Sequence, residues 1–364
     1  MTILDRYILK KILSTFFFVV LILEAIICVI DVTEKIDKFV QFKLSTKAIL
    51  VYYFDFIVWI AGFLSPITIF IAVIFVTSRL ASRTEIIAIL SSGASFRRFL
   101  RPYFYAATIL AVISFFLNGW VIPRSNNNRL VFEMTYFQNK YYYDKRNVHM
   151  QVAPNVYLFI QNYNNQSNTG YQFSLERFNN GLLTEKLSAE NIQWDSTKHK
   201  WTLRTWKRKK IDELFQLKPN QISSLEKGEN LDTTLVITPK DFENDSKMYA
   251  GMTITELNEK INTLRFRGST GVEAYEVERH IRYSSPFYIY VLVFMGAIVA
   301  ARKSRGGTGF QIALGFLMAF VFIIFFTITS TFAQTGSISP LLAAWLPNII
   351  FGGIAFLMYK YVPR

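Results

Sequence analysis

The chain has 364 residues, 51% of them apolar, with 34 Phe, 19 Tyr and a single Cys. That composition excludes an ordinary soluble enzyme and describes a polytopic α-helical membrane protein. The formal net charge of +14 reads first as a mark of membrane topology, and a nucleic-acid partner is not expected.

Six apolar segments, 12–31, 49–77, 103–122, 283–301, 310–330 and 341–359, each approach the ~20 residues that carry a helix across a bilayer core. They fall into two groups of three around a polar block. This predicts three regions: 1–122 with the first three transmembrane helices, an inserted domain over 123–283, and 284–364 with the last three. The first apolar run is too long for a signal sequence, and Asp31-Val-Thr-Glu-Lys35 is no small-residue cleavage site, so that span is expected to be retained. Cys28 lies within it, so the insert must be held by its own core and not by a disulfide.

Basic residues set the expected orientation. Arg6, Lys10 and Lys11 precede the first span, and Arg79, Arg83, Arg97, Arg98 and Arg101 fill the link between the second and third. Arg302, Lys303 and Arg305 fill the next such link, and Lys360 and Arg364 follow the last span. On the other side, Lys35, Lys38, Lys43 and Lys47 stand against a 332–339 loop with no basic residue. The balance places both termini in the cytoplasm and 123–283 outside, in the periplasm of a Gram-negative cell.

In chain order, Glu24 lies inside the first span and Asp55 near the start of the second. An ionisable group at membrane depth is a functional hypothesis by default. The plainer readings are a bundle-facing, hydrogen-bonded Glu24 and an interfacial Asp55. Lys35 and Lys38 share one face at the end of the first span. They suit the phosphates of a lipid headgroup, or equally serve as snorkelling anchors.

The link that follows is more patterned. Ser82-Arg-Thr-Glu85 reads as a capping box, and Ile86, Ile89 and Leu90 repeat at helical spacing before Gly93 ends the turn. Ser95 is expected to cap a second short helix, 96–100, before Pro102 opens the third span. The segment 82–93 is thus a short amphipathic helix whose apolar face needs either the membrane surface or a groove on a partner.

Within the insert, 149–162, 171–178, 192–206 and 231–238 are rich in aromatic and β-branched residues, with turns at 164–170 and Asn179-Asn-Gly181. They predict a sandwich or an open β-jellyroll. The run from Trp201 to Lys210 alternates aromatics and cations. It suits contact with an anionic glycolipid or, more simply, a lysine-protected sheet edge. Thr253-Ile-Thr-Glu256 starts a helix, and 273–282 leads back to the membrane. Pro347-Asn348 predicts a kink in the last span, and Gly352-Gly353 predicts close packing there.

The chain carries no G-x-x-x-x-G-K-[ST] loop, no G-x-S-x-G elbow and no histidine pair at metal-ligand spacing. His149, His199 and His280 are scattered. No cofactor, metal or catalytic site is expected.

Four stretches together resemble the LptF/LptG permease family of lipopolysaccharide exporters. They are Leu4-Asp-Arg-Tyr7; Arg83-Thr-Glu-Ile-Ile-Ala-Ile-Leu-Ser-Ser-Gly-Ala-Ser95 with Val121-Ile-Pro123; Pro286, Arg302, Gly306-Gly-Thr-Gly309 and Gly315; and Gly336, Pro340 and Ala343-Ala-Trp-Leu-Pro-Asn348. The opening motif leans toward the LptG-like branch.

The resemblance implies a permease subunit of an ABC transporter, paired with a paralogous permease on a cytoplasmic ATPase dimer. Lipopolysaccharide would enter between the subunits from the outer leaflet of the inner membrane, through gates at the first and fifth spans, and pass to a periplasmic jellyroll bridge. The resemblance also implies that the helix after the second span couples to the ATPase. Ser82, Glu85, Ile86, Ile89, Leu90 and Gly93 are the coupling residues, Glu85 foremost. Glu24, Lys35 and Lys38 are the substrate-contact candidates.

Two other readings remain in view. One is a proton-coupled lipid transporter using Glu24 and Asp55, which leaves the large insert without a role. The other is a non-transporting scaffold or signalling subunit, a class in which the outer domain usually follows the first span and not the third. A lipid-modifying enzyme is weaker still for lack of a nucleophile or metal cluster.

Overall fold

The computed structural model describes residues 2–137, 146–211, 224–242, 248–268, 271–301 and 307–361. Arg302, Lys303, Arg305, Gly306 and Arg364 lie outside the described residues. Two compact units emerge. One comprises Met1–Phe137, Tyr249–Asn258 and Glu273–Arg364; the other comprises Gln138–Met248 and Glu259–Val272.

The first unit is a helical bundle with six helices long and apolar enough to cross a membrane. Its helices are α1 (Ile3–Gln41), α2 (Thr46–Ser82), the short α3 (Glu85–Ser91), α4 (Phe96–Phe116), α5 (Ile122–Tyr136), α7 (Val272–Ala300), α8 (Gly307–Gln334) and α9 (Pro340–Lys360). α6 (Ile254–Phe266) begins here and continues into the second unit. Below, the end of the bundle nearest the chain termini is the near end, and the end at the α1–α2 turn is the far end. The 39-residue α1 is about 58 Å long at 1.5 Å per residue, well beyond a hydrocarbon core of ~30 Å. It is therefore longer than a bilayer core requires.

α2 is the most widely packed helix of the bundle, in contact with α1, α8 and α5. Phe70, Val73 and Ile74 of α2 pack with Tyr103 and Leu110 of α4 and with Ile289, Leu292 and Val293 of α7 in one core. Gly315 lets α8 approach α2 closely: a Cβ there would stand 2.0 Å from Ile74 Cδ1. In α7, Pro286 donates no N–H to the Arg282 carbonyl, and the Ser285 hydroxyl donates to that carbonyl instead, at 3.1 Å. Asn348 of α9 donates to the Ser284 carbonyl at 3.1 Å, so the polar residue after Pro347 ties two helices together.

Three local expectations are corrected. Ser82 does not cap a helix. α2 continues through it because Leu80 and Ala81 are buried in the core; its hydroxyl donates to the Arg79 carbonyl. The cap position of α3 falls on Thr84 in the left-handed region at φ 58° with no side-chain bond, so the capping box is absent. Ser95 does cap, accepting from the Arg98 N–H, but the helix runs on unbroken through Pro102. The third span does not close at Pro123. A π-turn over Leu117–Val121, with the Ile122 N–H donating to the Leu117 carbonyl, adds a residue to the turn before the proline. The helix then continues to Tyr136 as α5.

Among its described residues the second unit holds six antiparallel strands in meander order: β1 (Arg146–Ala153), β2 (Val156–Asn164), β3 (Thr169–Asn179), β4 (Leu182–Asp195), β5 (Lys200–Lys210) and β6 (Ser224–Thr233). The fold class is therefore a six-span helical membrane protein with an antiparallel β-domain inserted between the third and fourth spans. The Asn180-Gly181 turn forms with both residues at positive φ (51° and 79°), the geometry a two-residue hairpin requires. Two predicted strands, 149–162 and 192–206, each divide at a tight turn.

Registered pairs build one apolar face: Met150 opposite Leu158, Ile160 opposite Phe173, Phe173 opposite Ala189, and Ile192 opposite Leu203. Trp201 is fully buried at the centre of this core, and its indole N–H donates to the Ile237 carbonyl at 2.8 Å. Leu235, Ile237 and Phe242 lie against that face, with Phe242 stacked on Tyr163 at 3.9 Å. The run Trp201 to Lys210 is not a sheet edge, because β6 pairs along it. The predicted strand 231–238 meets β6 only at 231–233, and 234–238 is not strand; the rest of β6 was missed because Glu226, Lys227, Gly228 and Glu229 are polar and carry no β signal.

Candidate functional site

Two polar constellations lie at opposite ends of α1. At the far end, Asp31 and Lys35 are one helical turn apart, and the Lys35 ammonium reaches Asp31 Oδ1 at 2.6 Å. The same ammonium donates to Tyr52 Oη of α2 at 2.5 Å and lies 3.3 Å from Glu133 Oε1 of α5. Glu133 also accepts from the Tyr52 hydroxyl at 2.9 Å and from Arg129 at 2.8 Å. Arg129 stacks over Trp59 with its guanidinium carbon 3.9 Å from the ring centroid.

Two carboxylates thus balance two cations in a half-buried cluster shared by three helices. In this structure the Lys35 charge is engaged by the carboxylates of Asp31 and Glu133. Lys38, one turn on and exposed, donates to the Phe137 carbonyl at 3.3 Å. Asp55 is buried and accepts from Asn128 at 3.5 Å, beside the cluster and not within it.

Midway along α1, Glu24 is 7% exposed. It lines a largely apolar cavity of about 350 Å³ with Phe17, Ile57, Ser65, Ser114 and Asn118. The π-turn at Leu117–Val121 forms part of that wall.

At the near end, the seven residues of α3 turn Ile86 into the bundle core, with Ile89 packed against it. The predicted apolar face is therefore largely satisfied inside the chain. What stays open is Leu90 at 36% and Ile87 at 53% exposure. Gly93 ends the turn at φ 87°. Glu85 accepts from the Tyr7 hydroxyl of α1 at 3.2 Å, and the Lys11 ammonium meets the same hydroxyl. Two residues earlier on α1, Asp5 forms a bidentate pair with Arg98 of α4, at 2.6 and 2.9 Å.

The opening Leu4-Asp-Arg-Tyr7 therefore clamps α1 to the start of α4 through Asp5 and to α3 through Tyr7. The sequence reading quoted this motif without assigning Asp5 or Tyr7 a partner. The remaining missed residues, Tyr52, Arg129 and Glu133, had one signal: Asp31/Lys35 and Arg129/Glu133 are both spaced i, i+4.

These elements define a multi-pass membrane protein with a strand-built insert, polar clusters at both ends of its first span and a short helix exposed after its second. Among known families, the chain matches lipopolysaccharide export system permease LptF/LptG over residues 6–361, and it belongs to that family. The match covers the two branches jointly and does not separate them. No curated protein matches the chain. Membership supports a lipopolysaccharide export permease role, which is not an enzymatic one, with a permease partner.

Proposed function

We propose that the chain is the membrane subunit of an ABC transporter that draws lipopolysaccharide from the outer leaflet of the inner membrane and passes it to a periplasmic bridge. Its termini face the cytoplasm, its strands face the periplasm, and ATP is hydrolysed by a separate dimer docked at α3. The observation that carries this reading is the uneven cover of the spans. In their most apolar stretch, 11% of the residues of α1 and 22% of those of α8 are buried within the chain, against 61% for α7. Both therefore leave long apolar faces for a second permease subunit or for lipid acyl chains.

The cost of extraction requires an outside source of work. Each acyl CH₂ moved out of apolar surroundings costs about 0.8 kcal/mol, and a site that repaid all of it by affinity would not release the lipid. Closure driven at α3 is passed to α1 through Glu85 and Tyr7. α1 moves its far end, and Lys35 returns to its carboxylate partners and gives up the substrate phosphate it took on entry. The lipid then reaches the apolar face of the sheet. Leu235, Ile237 and Phe242 cover that face, so transfer requires this segment to lift.

Reconstituted with the subunits it co-purifies with, the chain should release lipopolysaccharide from vesicles to a soluble acceptor only when ATP is hydrolysed. Release sustained by a proton gradient without ATP would overturn the proposal. It would favour the one competitor with an observation behind it, a proton-coupled transporter using the buried Glu24 in its cavity.

A further inference from the structure

α4, α7 and α9 enclose a laterally open groove of about 760 Å³. Phe104, Tyr290, Phe294 and Phe356 line its length, and Phe104 and Phe356 are exposed at its mouth. At the near end of the groove stand Arg97 and Arg101, one turn apart on α4, and no acidic residue lines it.

Their neighbour makes the contrast. Arg98 is held by Asp5, whereas Arg97 and Arg101 point to the groove and form no ion pair among the described residues. Two like charges at i, i+4 in the first turns of a helix oppose each other and the helix dipole alike. An anion between them relieves both. The groove is thus cationic at one end and apolar along the rest, the pattern of a lipid lying beside a bundle with its phosphate at the interface. Basic pockets between transmembrane helices bind anionic headgroups by this arrangement.

We infer that this groove is a binding site for one anionic glycerophospholipid, its phosphate on Arg97 and Arg101 and an acyl chain along Phe104, Tyr290 and Phe294. Its volume suits a ligand of modest size and not the many acyl chains of an exported glycolipid, so this lipid is a resident and not the cargo.

The test uses the full chain, purified in neutral detergent with any subunits it carries and incubated with phosphatidylglycerol or phosphatidylcholine. Native mass spectrometry then counts retained lipid. The expected result is one phosphatidylglycerol per chain, preferred at least tenfold over phosphatidylcholine. An R97Q/R101Q double variant should lose that preference, and a Lys10→Gln variant, altered at an exposed cation of the same end, should keep it. Equal retention of the two lipids would overturn the site. So would a preference that survives in the double variant, is lost equally in Lys10→Gln, or is abolished by inorganic phosphate at millimolar concentration, since a free anion would then be the ligand.

Discussion

Replacing Glu85 with Lys should reduce ATP-driven lipopolysaccharide release at least tenfold while leaving the chain inserted and its partners' basal ATP hydrolysis in place. The substitution puts a cation where Glu85 accepts from Tyr7, beside Lys11, so it reverses the attraction that holds α3 to α1. Like charges at close range cost about as much as the lost pair gained, and the larger effect comes from the uncoupled motion. Tyr7→Phe separates the two parts of this argument. It deletes one hydroxyl and keeps the ring, so a few-fold loss is expected if Glu85 acts partly through α1. Release assays and ATPase assays on the same vesicles read both variants. Normal release by Glu85→Lys would remove α3 from the coupling path.

The second large effect is expected at Glu133. With Glu133→Gln the far-end cluster keeps an acceptor for Tyr52 but loses one of its two negative charges, leaving Lys35 and Arg129 in excess. A phosphate-bearing lipid should then be held about tenfold more tightly, equivalent to ~1.4 kcal/mol, and be released more slowly. Glu133→Ala should behave differently. It strips three donors of their acceptor at a half-buried site, at a cost of about 2 kcal/mol, read as a lower unfolding temperature in detergent. Weaker lipid retention in Glu133→Gln would mean that Glu133 shapes the substrate site and does not compete with the substrate for Lys35.

How much of this was legible beforehand follows from the physics of each part. The six spans were readable because a bilayer demands long apolar runs, and the 3+3 division around an insert followed directly. The Asn180-Gly181 turn and the Gly93 stop were readable because positive φ favours few residue types. Helix ends were not. α2 runs past Ser82 because burial of Leu80 and Ala81 outweighs a local cap, and the third span runs past Pro123 because a π-turn accommodates it. β6 was legible only at its last residues, 231–233, because the rest of that strand is polar, as an exposed strand can be.

The site residues divide in the same way. Glu85, Lys35 and Glu24 could be singled out by type and position. Their partners Tyr7, Glu133 and Tyr52 are distant in sequence and became visible only when the helices were packed. The apolar face of α3 was correctly placed on a helix but assigned to the wrong neighbour: Ile86 and Ile89 face the chain's own core, and Ile87 and Leu90 are what a partner would meet.

One measurement bears on the whole account. A photoreactive residue at position 38, one turn beyond Lys35, and another at position 175 on the apolar face of β3, are each installed in the reconstituted transporter with radiolabelled lipopolysaccharide. The expected result is crosslinking at 38 before ATP is added and crosslinking at 175 only after ATP hydrolysis. Label that reaches 175 without ATP, or never appears at position 38, would contradict it.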